Sequence, residues 1–155
     1  QLKDTVQRVF LGESRADVLD TRLPSPRSDM AVAHVGRNRV LLVGGNTKQG
    51  PTAEILEFTT DTHVIRRLVA RLDRPFSDWT SVPVDGDWMA FGGQRFGGVS
   101  DTVVELSQDG TTSLMAQRLP YSVRGAAVVA FNGRVYVLGG ITPTRVEHRI
   151  VRWPW

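Results

Sequence analysis

Two acidic residues sit in matching settings, Ser28-Asp29-Met30 and Ser77-Asp78-Trp79, 49 residues apart. Two carboxylates brought to one place are the minimum equipment for general acid/base work. The same residue type also caps turns through its own backbone, which is its commoner use. Arg27, Arg95 and Arg124 stand in or near such stretches; a guanidinium there either grips a carboxylate or phosphate through paired hydrogen bonds or ties neighbouring segments together. His34, His63 and His148 show no metal-ligand spacing. The absence of cysteine excludes disulfides, thiolate metal sites and a thiol nucleophile, and leaves the redox compartment open. The run Gly44-Gly45-Asn46-Thr47-Lys48-Gln49-Gly50 has the look of a phosphate cradle. It lacks the Gly-Lys-Ser/Thr ending and leads into a strand, whereas a P-loop leads into a helix. No cofactor and no metal is implied.

Composition narrows the class. A chain of 155 residues with 41% hydrophobic residues suits one ordinary globular domain. The net charge is +3, but 17 Arg and 2 Lys are scattered among 16 acidic residues and form no basic stripe, which argues against a nucleic-acid partner. No apolar run approaches the roughly 20 residues of a membrane helix, so no membrane role is expected. The opening stretch Gln1–Phe10 lacks the two regions of a signal peptide, although a mature form with its leader removed would read the same.

The elements that must position these groups are repeated. The apolar runs Arg39–Gly45, Trp88–Gly93 and Arg134–Gly140 each end in Gly-Gly, and their second glycines are 48 and 47 residues apart, a period that signals a repeat architecture. Thirteen positions past each second glycine stands a bulky apolar residue, Phe58, Leu106 or Trp153, and Phe10 fills the same slot one period earlier. Before each Gly-Gly lies a predicted hairpin, turning through Gly36-Arg37-Asn38, Asp85-Gly86 or Asn132-Gly133; Asp-Gly and Asn-Gly suit the positive φ angles of tight hairpin turns. Further strands are expected over 15–24, 62–75 and 111–120, each closed by a Leu or Pro mark. The unit is thus four short strands in about 48 residues with no competing helical period, which reads as a β-propeller blade. The Ala- and Gly-rich segments Ala31–Val35 and Gly125–Phe131 suit the crowded innermost position.

On the three Gly-Gly runs, the Leu23–Arg27 segment and the phased large residue, the chain resembles the kelch repeat family over nearly its whole length. The resemblance implies an all-β propeller whose blades each have four antiparallel strands. It divides the chain into outer strands of a first blade (1–24), two blades (25–75 and 76–120) and an incomplete blade (121–155). The family's usual Tyr is replaced by Phe10, Phe58, Leu106 and Trp153, and its usual Trp by Val18, Ile65 and Leu114. These replacements keep the packing and lose the Tyr hydroxyl. Pro26-Arg27 keeps the family's pair before the inner strand, whereas Pro75-Phe76 and Val123-Arg124 depart from it. About three repeats cannot close a ring of 4 to 8 blades, so further blades are expected from a longer chain, or failing that from a second copy. Trp155, in Arg152–Trp155, would be a sticky end requiring cover.

By the same resemblance, the loops after Gly-Gly and those before the inner strands open on one face. The candidate binding residues are Arg27, Ser28, Asp29, Asn46, Lys48, Phe76, Asp78, Gln94, Arg95, Phe96, Tyr121 and Arg124, a mixture suited to protein recognition. The expected function is a non-enzymatic interaction module or scaffold gripping a protein or peptide. The alternatives are a kelch-like sugar epimerase or mutarotase using the aspartates and arginines, and a structural subunit of a large assembly. The copper chemistry of some kelch enzymes fails here for want of a cysteine.

Overall fold

The computed structural model describes residues 1–153, and Trp155 lies outside them. The alternation of apolar and polar residues over runs of about five, punctuated by Gly, Asp and Asn, gives strands and no helix among the described residues. β1 (Thr5–Val9) and β2 (Ala16–Arg22) form an antiparallel hairpin. A first large sheet follows from β3 (Ala31–Val35), β4 (Arg39–Val43), β5 (Asn46–Thr47), β6 (Gly50–Thr59) and β7 (Val64–Phe76). Its order is β3-β4-β6-β7, with β5 folded onto the start of β6.

The second region contains β8 (Thr80–Val84) and β9 (Asp87–Phe91), the separate small hairpin of β10 (Gln94–Arg95) and β11 (Gly98–Val99), then β12 (Val103–Leu106), which pairs with β9, and β13 (Thr112–Leu114), which pairs with β12 and completes the second sheet. Its main ladder runs β8-β9-β12-β13. The third sheet is the meander of β14 (Ala127–Phe131), β15 (Arg134–Leu138) and β16 (Ile150–Trp153). All pairings between these strands are antiparallel.

The hairpin turns form for the reason their residues suggest. Asp85 and Gly86 have φ of 48° and 93°, Asn132 and Gly133 48° and 67°, the paired positive angles that match the twist of the flanking strands. Two outer strands differ in length from expectation. β7 is paired through Pro75 to Phe76, a tolerated place for proline because β7 is an edge strand. β13 covers only three residues of the expected 111–120 strand. Beyond it the chain still touches the sheet, with Met115 N–H donating to Val103 C=O at 3.0 Å and Leu119 N–H to Asp101 C=O at 2.9 Å, while Ala116 and Gln117 bow out into solvent.

The core lies between sheets. Ala31, Ala33, Leu41, Val43 and Ile55 of the first sheet pack against Trp79, Ala90, Val104 and Leu106 of the second. The opposite side of the second sheet, through Met89, Phe91 and Val103, packs against Val135, Val137 and Trp153 of the third. On β9 alternate residues therefore serve different cores, as the two-residue period of a strand requires. The alanines of β3 let it sit close to β8, where the Ser81 hydroxyl accepts from Val32 N–H at 3.2 Å and donates to Val32 C=O at 2.7 Å. Trp79 and Trp88 add indole bonds to the carbonyls of Val43 and His34 at 3.3 and 3.1 Å.

The double glycines join these sheets. The first of each pair donates within its own sheet: Gly44 to Glu54, Gly92 to Thr102 and Gly139 to Arg149, at 2.9, 2.8 and 3.1 Å. The second bonds the chain just as it leaves for the next sheet, Gly45 to Phe76 C=O at the end of β7 and Gly93 to Val123 C=O ahead of β14, both at 2.8 Å. Gly93 has φ of 92°, and a Cβ there would stand 2.8 Å from the Ser77 carbonyl oxygen and 2.7 Å from Trp79 Cβ. No side chain fits such an approach.

Two substitutions measure these forces in urea melts. Gly93→Ala is expected to cost at least the ~1–3 kcal/mol of a strained backbone. Ile55→Ala, at a fully buried position, is expected to cost ~2–5 kcal/mol. Val69→Ala, on a side chain that is 100% exposed, should stay within about 0.5 kcal/mol. Equal costs for Ile55 and Val69 would contradict the inter-sheet core.

Candidate functional site

The loop end of the molecule is organised around one backbone position. Asp29, Asp78 and Gly125, with φ of 57°, 55° and 58°, lead into β3, β8 and β14, the first strands of the three large sheets. This left-handed region is open to glycine and tolerated by aspartate, whose short side chain bonds locally. Asp78 N–H donates to Asp29 C=O at 3.0 Å, and Gly125 N–H to Asp78 C=O at 2.9 Å, so the three residues link the sheets through the main chain. The residue before each makes a reciprocal pair of backbone bonds with the residue after Gly-Gly. These pairs are Ser28 with Asn46, Ser77 with Gln94 and Arg124 with Ile141, at 2.7–3.0 Å. The two loop sets therefore do share one end of the molecule.

The structure sorts the candidates expected at this face. Arg27 is corrected: its side chain is fully buried, and its guanidinium binds Glu54 Oε2 and Ser25 Oγ at 2.7 Å each. That arginine braces the first sheet and is not free to grip a ligand. Phe76 is corrected as well, being buried and stacked on Trp79 with ring centroids 5.0 Å apart. Asp78 accepts from Arg124 Nη1 across the sheet boundary. Ser28 Oγ donates to the exposed Asp29 carboxylate at 2.6 Å.

Asn46 and Gln94 are half-buried and held by their backbones, while Lys48 is exposed at the β5–β6 turn. Phe96 is 66% exposed, and its ring lies against Gly50, where a Cβ would meet it at 3.0 Å. The β10–β11 loop of the second sheet thus touches the β5–β6 loop of the first. Arg95 is half-buried and turns into the groove between these sheets. Tyr121 lies elsewhere, half-buried with the Arg149 guanidinium 4.3 Å from its ring centroid.

Ion pairs stiffen the frame beneath the loops. Burial pushes the Glu57 carboxyl upward, but hydrogen bonds from Arg66 and Arg39 outweigh it and hold the group below its ordinary range. Glu54 behaves likewise: burial raises it, and the bond from Arg27 with the charges of Arg67 and Arg71 brings it down. The Arg149 hydrogen bond depresses Glu147 strongly, aided by the backbone N–H groups of Arg149 and His148. Burial and the nearby Glu147 charge push the Tyr121 phenol up, so it stays neutral.

Sequence reasoning missed the Tyr121–Glu147–Arg149 cluster. Its only signal was the alternation Arg145-Val146-Glu147-His148-Arg149, which points the charged residues to one side of an extended chain. Among the described residues, no three His, Asp or Glu side chains gather to hold a metal ion. No protein-family model matches the chain, and no curated protein matches it in sequence.

The carboxylates predict a pH dependence of stability. Glu54, Glu57 and Glu147 have folded pKa values below their ordinary 4.5. The stability they add is full above that value and is lost as pH falls below it through the folded values. Urea midpoints should fall between about pH 6 and about pH 3, and Glu57→Gln should lower the midpoint at pH 6 and flatten the pH slope. An unchanged slope would contradict the assignment.

Proposed function

We propose that the three large sheets are blades of a kelch-type β-propeller, and that the chain is a non-enzymatic interaction module that holds a protein or peptide at its loop end. The observation that carries this reading is the contrast between backbone and side chains there. One pair of backbone bonds recurs in all three sheets, whereas the side chains just beyond it differ, Lys48 and Phe96 being exposed. A rigid frame presenting varied, exposed side chains favours recognition, because little freedom is lost on binding. Face-to-face burial of the second sheet on both sides supports the blade reading.

An exposed aromatic ring from one loop, touching the neighbouring loop that carries a lysine, suits a peptide with an acidic and an apolar residue. The engagement of Asp78 by Arg124 favours this over a sugar epimerase, in which that aspartate would have to exchange a proton with substrate.

The test is selection of displayed peptides on the folded chain, followed by calorimetry of the best one. Replacing Lys48 and Phe96 together by Ala is expected to weaken that peptide at least tenfold, about 1.4 kcal/mol or more, with an unchanged thermal melt. Unchanged affinity in the double variant would contradict the proposal.

A further inference from the structure

A second candidate site lies in the groove between the first two sheets. A cleft of about 440 Å³ opens between β7 of the first sheet and β12–β13 of the second, within the ~300–1,000 Å³ of small-molecule sites. Its walls include the buried Leu72, Phe76 and Val104. Around them stand Arg74, Arg95 and Arg118, with Asp73 the one acidic residue of the lining. Arg118 is anchored through Nη1 to Thr102 Oγ1 at 2.9 Å and to Asp101 at 3.3 Å, which leaves Nε and Nη2 to face a ligand. Arg74 and Arg95 make no ion pair among the described residues.

That contrasts with the rest of the frame. Glu54 holds Arg27 and Arg67, Glu57 holds Arg39 and Arg66, and Glu147 holds Arg145 and Arg149. In the cleft, by contrast, Arg74 and Arg95 stand beside an apolar wall without a carboxylate partner among the described residues. With Asp101 already held by Arg118, three guanidinium groups stand against two carboxylates and leave an excess of one positive charge, while their many N–H donors suit a phosphomonoester, which carries about −1.5 to −2 with three acceptor oxygens. A single carboxylate offers one charge and two oxygens. Thr112 also lines this wall, whereas the Ser113 hydroxyl donates to Glu105 Oε2 at 2.9 Å; the apolar residues can take an organic group.

We infer that this cleft binds a phosphomonoester carrying an apolar group, with Arg74, Arg95 and Arg118 on the phosphate and Leu72, Phe76 and Val104 against the organic part. The site goes beyond the loop-end reading and does not depend on it, since neither Lys48 nor Phe96 lines it.

Calorimetry of the whole chain with phenyl phosphate, inorganic phosphate, benzoate and phenol tests the inference. Phenyl phosphate should bind tightest, and Arg74→Ala with Arg95→Ala should weaken it at least tenfold without moving the thermal melt. Arg118→Gln should weaken it as well, and Arg37→Ala, on an exposed turn away from the cleft, should leave it unchanged. A phosphoserine peptide binding tighter than phenyl phosphate would place the group on a protein, and weaker binding would place it on a free metabolite; both support the site. Benzoate binding as tightly as phenyl phosphate would overturn the ligand class, and equal affinity in wild type and double variant would overturn the site. Loss of the peptide affinity on removing Lys48 and Phe96, with phenyl phosphate affinity retained, would separate the two binding faces.

Discussion

Everything at the loop end depends on three residues whose backbones are left-handed. Asp29, Asp78 and Gly125 turn their peptide groups so that each N–H of the later two meets the carbonyl of the one before. A residue in the usual β or α region would point those groups elsewhere and lose the backbone bonds that link one sheet to the next. The double glycines complete the arrangement by letting the next sheet's entry approach without a Cβ between. The sheets are thereby held at a fixed separation, and the two cores fill what lies between.

Charge pairing works inside each sheet. Glu57 and Glu147 are almost wholly buried, and an unpaired carboxylate there would be costly. Each is met by two arginines, whose planar forks suit paired hydrogen bonds better than lysine does. Many of the scattered arginines are held in ion pairs, Arg27 in the interior and the others closer to the surface. Against that background Arg74 and Arg95 stand out, because they lack a carboxylate partner among the described residues and line one cleft together with Arg118.

The parts of this structure legible from sequence were those set by neighbours along the chain. Gly-Gly after a five-residue apolar run, Asp-Gly and Asn-Gly between such runs, and the alanines of Ala31–Val35 each report a local backbone requirement, and the strands lie where those signals place them. What escaped was set by distance through space. Arg27 and Phe76 looked like loop residues, yet the crossing of β6 beneath Arg27 and of Trp79 over Phe76 buries both. The Arg74, Arg95 and Arg118 cleft was equally hidden, because its members come from three separate segments joined only by the packing of one sheet on the next. Arg74-Pro75 and Arg118-Leu119-Pro120 do close successive repeats in a similar way, and that parallel was the available clue.

Amide hydrogen exchange at Asp78 and Gly125 tests the linking of the sheets most directly. Their N–H groups each donate across a sheet boundary, so they should exchange only through large-scale opening, as slowly as the amides of β9 and far more slowly than those of Lys48 and Gly97. Exchange of Asp78 and Gly125 at the rate of those exposed loop amides would contradict the account.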